Sequence, residues 1–260
     1  MTFLIITFLV GLVSSFSLVF LLRFFVRKFH ISPKIFWKAG IAGIVVSVLV
    51  FGVNLNIDGA FPSFLQLPAI AQAAILGILN GLIIELGKFT VLDRMMRSVR
   101  DRDSGVIFGL GWAGVGILFA GFLLAVSVFG TYSLLNTKDI ASSVPNLDAD
   151  QLKFLQESQV QIQTLVNGPL LKAFTPLFES VATVLLDIAM TFMILFGFQK
   201  MQNRFVWIAV GVRSVLMTTL FYSISAGFSP EIVFLLWAGV AVWVILYFRK
   251  LLKVQPSANS

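Results

Sequence analysis

Long apolar runs separated by short polar segments dominate the chain. A membrane-spanning helix needs about 20 mostly apolar residues. Runs of this kind extend over 3–22, 35–53, 64–87, 105–130, 170–198, 205–223 and 230–248. The pattern predicts an all-α fold, a polytopic membrane helix bundle of about seven transmembrane helices. We expect residues 1–260 to form a single transmembrane domain, because neither an internal repeat nor a second domain is visible.

Basic residues alternate along this pattern. They follow the first, third, fifth and seventh runs, whereas the segments after the second, fourth and sixth runs have few or none. The bases are Arg23, Arg27, Lys28, Lys34, Lys38, Arg94, Arg97, Arg100, Arg102, Lys200, Arg204, Arg249, Lys250 and Lys253. Because cytoplasmic loops are enriched in Lys and Arg, the alternation predicts an N-terminus outside and a cytoplasmic C-terminus. The first run has no preceding charge and exceeds a signal-peptide core, so we expect a retained anchor.

Composition narrows the class of protein. Hydrophobic residues make up 58% of the chain and charged residues 12%, against about 25% charged in an ordinary soluble domain. We therefore expect an integral protein of a prokaryotic cytoplasmic membrane. The net charge of +7 follows from the orienting bases, which are spread over four membrane-flanking segments. This favours the lipid bilayer as partner and excludes nucleic acid.

The longest polar segment, 131–169, is expected outside. Leucine, isoleucine and valine recur among its polar residues between an Asp148 or Asp150 start and an Asn167-Gly168-Pro169 stop. These signals predict an amphipathic helix. It could lie on the outer leaflet or cap the bundle.

Few ionisable residues interrupt the apolar runs. The candidates for an interior position are Glu85, Lys88, Glu179, Asp187 and Arg213. Glu85 and Lys88 are three residues apart, so they share a helix face and can pair. Glu179 and Asp187 are two turns apart, with about 80° of rotation between them, and could line one interior surface. Arg213 needs an acidic partner, and all three acids are available. Both a salt bridge network that fixes helix packing and a polar site fit this pattern.

The stretch 107–126 begins with glycines around Trp112. The glycines are Gly109, Gly111, Gly114 and Gly116. Small residues let membrane helices approach closely, and Gly105-x-x-x-Gly109 fits that role. The glycines could instead be the remains of a reactive site.

Three motifs in order resemble the YhfC family of intramembrane metalloproteases, relatives of the CAAX-processing and PrsW-type membrane proteases. They are "IIELGKF", "FGLGWAGVG" and "FESVATVLLDIAMT", and the resemblance covers roughly 70–200. The family has a Glu-Glu-x-x-Arg-like stretch, then a glycine-rich stretch with a histidine, then a glutamate followed by a histidine. The resemblance implies zinc and a metal-activated water, with a glutamate as general base.

The resemblance assigns roles to residues of this chain. Glu85 matches the second glutamate and is the candidate catalytic residue, a remnant general base; Ile84 replaces the first. The matching glycines are Gly109, Gly111 and Gly114, and Gly116 stands where the family often has another acid. The candidate binding residues are Lys88 in the arginine position, Trp112 and Asp187 in the two histidine positions, Glu179 in the later glutamate position, and Arg213.

The same correspondence predicts that no metal is bound. Both histidine positions are lost, and the chain's one histidine, His30, lies in the first basic loop. Catalytic zinc sites usually take two or three imidazole ligands. We therefore expect no cofactor, although zinc is expected for the family.

Four functions are compatible with these observations. We favour a catalytically degenerate family member that binds an unknown membrane protein or peptide partner. An active peptidase could instead use Glu85 and Asp187 as a carboxylate pair that shares a proton. A transporter or channel component could line a path with Arg213 and the buried acids. In the fourth possibility, the protein is a helix bundle whose ionic groups serve only to hold the helices together.

Overall fold

The protein is helical throughout the part described by a computed structural model, which comprises residues 2–29, 32–97, 99–118 and 170–252. The helices are α1 (Thr2–Phe29), α2 (Lys34–Ala60), α3 (Ala69–Thr90), α4 (102–118), α5 (Thr175–Lys200), α6 (Arg204–Ser225) and α7 (Pro230–Leu251). Short 3-10 turns occupy Phe64–Gln66 and Leu170–Phe174, and a π-helical turn, Val91–Met95, extends α3. No strand occurs in these ranges, which confirms the all-α class.

Five helical segments are long and apolar enough to cross a membrane. They are Lys34–Ile57, Ala69–Met95, Lys172–Lys200, Arg204–Ser225 and Pro230–Leu251. They coincide with the second, third, fifth, sixth and seventh predicted runs, so the chain is a multi-pass integral membrane protein. The first predicted run is helical within α1, and the fourth is helical as far as residue 118. The predicted amphipathic helix within 131–169 lies outside the described residues, and the total of seven spans stays a prediction.

Two of the α-helices begin five residues later than the corresponding apolar runs. The third run begins at residue 64, but α3 begins at Ala69, because Pro68 is extended with ψ 146° and Phe64–Gln66 forms a separate 3-10 turn. The fifth run begins at residue 170, but its first residues form a 3-10 turn before α5. An apolar pattern cannot distinguish such a turn from the first turn of the α-helix.

The chain divides into two compact units. One comprises Met1–Ser17 and Ile117–Leu177, and the other comprises Leu18–Gly116 and Phe178–Ser260. The buried charged side chains of the predicted spans lie in the second unit. The expectation of a single domain stays a prediction.

Helix α5 forms the centre of the second unit. Of its most apolar window, 72% is buried within the protein, against 17–39% for the other four candidate spans. Every residue from Leu186 to Gly197 is buried. This stretch of the helix is enclosed on all sides and shielded from lipid, so a charged side chain within it must find its partner inside the protein.

Glycines allow α4 to lie directly against two neighbours. A methyl group added at Gly109 would lie 2.7 Å from the Cα atom of Ile188 on α5. One added at Gly111 would lie 2.8 Å from the Cα atom of Phe36 on α2. On α2, a methyl group at Gly43 would collide with the backbone carbonyl of Trp112. These contacts confirm that helix packing explains part of the glycine-rich stretch, since only hydrogen fits there.

Helices α3 and α6 approach each other in the same way. A methyl group at Gly77 would lie 2.6 Å from the backbone nitrogen of Thr218, and one at Gly81 would lie 2.8 Å from that of Ser214. Gly81 precedes Glu85 by about one turn, and Ser214 follows Arg213. The close crossing therefore places Arg213 at the level of Glu85.

We expect Gly109→Ala to lower the free energy of unfolding by about 1–3 kcal/mol, because the new methyl group meets the α5 backbone. Gly116→Ala is the matched control on the same helix, since nothing lies within 4 Å of its added methyl group. Thermal unfolding in detergent measures both variants. Equal thermal unfolding midpoints for Gly109→Ala and Gly116→Ala would contradict the close crossing of α4 and α5.

Candidate functional site

The ionisable residues predicted for the spans meet at one point in the second unit, with one exception. Helix α3 supplies Glu85 and Lys88, α5 supplies Asp187, and α6 supplies Arg213. The exposed fractions of these residues are 0%, 0%, 2% and 3%. We call these four residues the charge cluster.

Each carboxylate of the charge cluster contacts both cations. Lys88 Nζ donates hydrogen bonds to both Glu85 oxygens at 3.1 and 3.2 Å, and to Asp187 Oδ1 at 3.0 Å. Arg213 Nη2 donates to Asp187 Oδ1 at 2.7 Å, and its Nε lies 3.4 Å from Glu85 Oε1. The contacts form a closed ring with two formal positive and two formal negative charges. The pairing predicted from the Glu85–Lys88 spacing is present.

The ring arrangement follows from the cost of burying charge. An isolated ion in a low-dielectric interior costs several kcal/mol, and only close, hydrogen-bonded partners offset that cost. The guanidinium of Arg213 is only partly satisfied, because Nη1 and Nε have no hydrogen-bond acceptor in the part of the chain that the structure describes. Its stability here therefore depends on the two carboxylates.

Trp112 closes one side of the charge cluster. Its ring stacks on Phe108 with centroids 5.7 Å apart, and Lys88 Nζ lies 5.7 Å from its centroid. An ammonium group over an indole face gains cation–π attraction. Since α2 packs on the Trp112 backbone at Gly43, the indole is held in this position and occupies the volume beside the ammonium group.

The structure does not bring Glu179 into the charge cluster. Asp187 is buried, whereas Glu179, two turns earlier on α5, is exposed. The rotation between the two positions turns Glu179 away from the buried face. Of the other positions in the resemblance, Gly109 and Gly111 serve the helix crossings, Gly116 faces open space, and His30 is outside the described residues.

Sequence reasoning missed a second polar contact between spans. Asn54 on α2 and Asn80 on α3 exchange hydrogen bonds at 3.0 and 3.3 Å, and Asn80 also donates to the Leu76 carbonyl at 2.6 Å. Asn80 is 2% exposed. An asparagine directly after the second run and another within the third were the available signal, because membrane helices use such side chains to bond across their interface.

The side chains present do not fit a catalytic zinc ion. Within the described residues, no group of three or more His, Cys, Asp or Glu side chains is placed to hold a metal. The Glu85 oxygens and Asp187 Oδ1 already accept hydrogen bonds from cations. A metal would have to displace Lys88 or Arg213, and it would then leave that cation buried without its partner.

These features define a class, a multi-pass helical membrane protein with a buried, neutralised ionic site. The sequence profile of the YhfC intramembrane metalloprotease family matches residues 12–233. The chain belongs to this family, and the match confirms the resemblance over 70–200 and extends it at both ends. None of the curated proteins and none of the solved structures compared with the chain matches it.

We expect Asp187→Asn to lower the free energy of unfolding by about 3–5 kcal/mol, because it leaves Lys88 and Arg213 with one carboxylate between them. Glu179→Gln is the matched control, an exposed acid on the same helix, and we expect a change within about 0.5 kcal/mol. Denaturant titration in mixed micelles measures both. A neutral effect of Asp187→Asn would show that the buried ionic contacts do not stabilise the bundle.

Proposed function

We propose that this protein is a catalytically degenerate member of its family, which binds a membrane-embedded protein or peptide partner without cleaving it. The observation that supports the proposal best is the position of Lys88. Its ammonium group bridges Glu85 and Asp187 and lies against Trp112. The two carboxylates are thereby committed to cations.

Glu85 lacks what a general base requires. A general base must accept a proton from a water molecule within hydrogen-bond reach. Both Glu85 oxygens accept from Lys88, and the side chain is 0% exposed. The resemblance assigns Glu85 the base position, but its contacts suit an ion pair.

The contacts also disfavour a peptidase built on Glu85 and Asp187. Two carboxylates share a proton when like charges lie together without compensation. Here Lys88 and Arg213 compensate both charges. This removes the electrostatic reason for a shared proton.

A transport function finds little support in the charge cluster, whereas a purely structural role fits its contacts well. A path for ions or solutes needs polar groups that face a passage. The four side chains of the charge cluster are instead 0–3% exposed and bond to one another. We favour partner binding over packing alone because the family profile matches most of the chain, and a fold can keep its binding surface after its chemistry is lost.

We also propose the seven-span topology, with the N-terminus outside and the C-terminus cytoplasmic. The five candidate spans support it, as does the alternation of basic loops. In this topology the connection between α2 and α3 is outside, and the connection between α5 and α6 is cytoplasmic.

We expect the full-length protein, stripped of metal, to show no tight stoichiometric zinc binding, because neither imidazole position is retained. Competition with a zinc-sensitive dye measures the affinity, and His30→Ala excludes a contribution from the one histidine. Tight stoichiometric binding that survives His30→Ala would refute the loss of the metal site.

The topology has a direct test, because the chain contains no cysteine. Single cysteines at two exposed loop positions, Ser63→Cys and Asn203→Cys, are matched reporters for opposite sides. With a membrane-impermeant maleimide, we expect Ser63→Cys to react in intact cells and Asn203→Cys to react only after permeabilisation. The reverse result, or labelling of both in intact cells, would overturn the orientation.

A further inference from the structure

A basic cavity lies where the beginning of α4 meets the end of α7. Its volume is about 490 Å³, and it is lined by Arg102, Leu246, Arg249, Lys250 and Leu252. Three of these side chains are cationic and two are leucines. The cavity therefore combines positive charge with apolar surface, and it lies apart from the charge cluster.

The positive charge of this basic cavity is only partly compensated. Arg102 Nε donates to Asp103 Oδ1 at 2.9 Å. Asp101 Oδ1 accepts the backbone N–H groups of Asp103 and Ser104, so it caps the beginning of α4. Arg249 and Lys250 are exposed and have no acidic partner within ion-pair distance among the described residues. The cavity therefore favours an anion.

The neighbouring surface of α7 indicates the level of the lipid headgroups. Trp243 and Tyr247 stack with centroids 6.1 Å apart, and they are 68% and 54% exposed. They share a helix face with Lys250, at intervals of four and three residues. Exposed Trp and Tyr side chains are enriched where a membrane meets water. Leu246 is also exposed beside them.

We propose that the basic cavity binds the phosphate of an anionic phospholipid. Arg249 and Arg102 present guanidinium forks that match phosphate geometry, and Lys250 adds a mobile ammonium group. Leu246, which lines the cavity and is exposed, receives the first part of an acyl chain. A free phosphate ion would contact only the cationic side chains of the lining, whereas a phospholipid would contact both the cationic and the apolar side chains.

The test uses the full chain in detergent and labelled phosphatidylglycerol, with fluorescence anisotropy as the readout. We expect Arg249→Gln with Lys250→Gln to weaken binding about 20-fold, because each base near an anionic headgroup contributes several-fold to affinity. The matched control, Lys34→Gln with Lys38→Gln, removes two exposed bases from the beginning of α2. We expect this control to change binding by less than about two-fold.

Two further measurements separate specific binding from unfolding and from diffuse charge. Arg249→Lys keeps the positive charge but loses the guanidinium fork, so its affinity is expected to lie between those of the wild type and the double variant. Circular dichroism is expected to show wild-type helicity for every variant. Labelled phosphatidylcholine, which has no net charge, is expected to bind weakly to all of them. A higher salt concentration is expected to weaken the binding of phosphatidylglycerol, because it screens the charges.

Three outcomes would overturn the proposal. Equal losses in the two double variants would assign the effect to diffuse surface charge. Displacement of the labelled lipid by millimolar inorganic phosphate would identify a free phosphate as the ligand. Unchanged binding in Arg249→Gln with Lys250→Gln would exclude the cavity as the site.

Discussion

The arrangement of the second unit depends on one constraint, the cost of burying charge. Lys88 and Arg213 are almost fully enclosed, and each is held by Glu85 and Asp187. Since these residues come from three helices, α3, α5 and α6 can pack as they do only while the four charges stay in contact. Loss of one charge leaves an unpaired ion in a medium that solvates it poorly.

The close helix crossings make those contacts possible. Gly81 lets α6 approach α3 beside Arg213, and Gly109 lets α4 approach α5 at Ile188, the residue after Asp187. Without a side chain at these positions, the helix axes come near enough for short ion pairs. The same approach brings Trp112 over Lys88. The close contacts at the glycines and the contacts of the charge cluster therefore depend on the same helix packing.

In our proposal, the protein keeps the fold of its family but has lost the family's hydrolytic reaction, and this helix packing is the reason. Hydrolysis through a bound metal needs an open coordination position and a carboxylate free to accept a proton. In this chain an indole lies against the Lys88 ammonium group, and that ammonium group donates hydrogen bonds to oxygens of both carboxylates. A fold can be kept for binding when its reactive groups have been replaced.

The charge cluster and the basic cavity use charge in opposite ways. In the charge cluster, equal numbers of cations and carboxylates cancel inside the protein. In the basic cavity, Arg249 and Lys250 are exposed at the end of α7 beside interfacial aromatic residues. Charge at the interface stays partly hydrated, so it remains available to an external anion.

Properties that depend on residues close together in the chain could be predicted from the sequence alone. Hydropathy over about 20 residues identifies a span, so the class of protein and the approximate positions of the five candidate spans were predictable. The Glu85–Lys88 pair was predictable because both residues lie on one helix, where a spacing of three fixes their proximity. The order of motifs was sufficient to identify the family.

The acids that pair with Arg213, in contrast, become known only from the packing of the helices. All three acids were available in the sequence, and the choice depends on how α3, α5 and α6 are rotated about their axes. That rotation brings Asp187 and Glu85 to the guanidinium and leaves Glu179 exposed. The neighbours of Trp112 could not be predicted from the sequence either, because they depend on close contacts at Gly43 and Gly109 between residues distant in the chain. Hydropathy records whether a residue prefers lipid or water, but it does not specify which helix lies opposite.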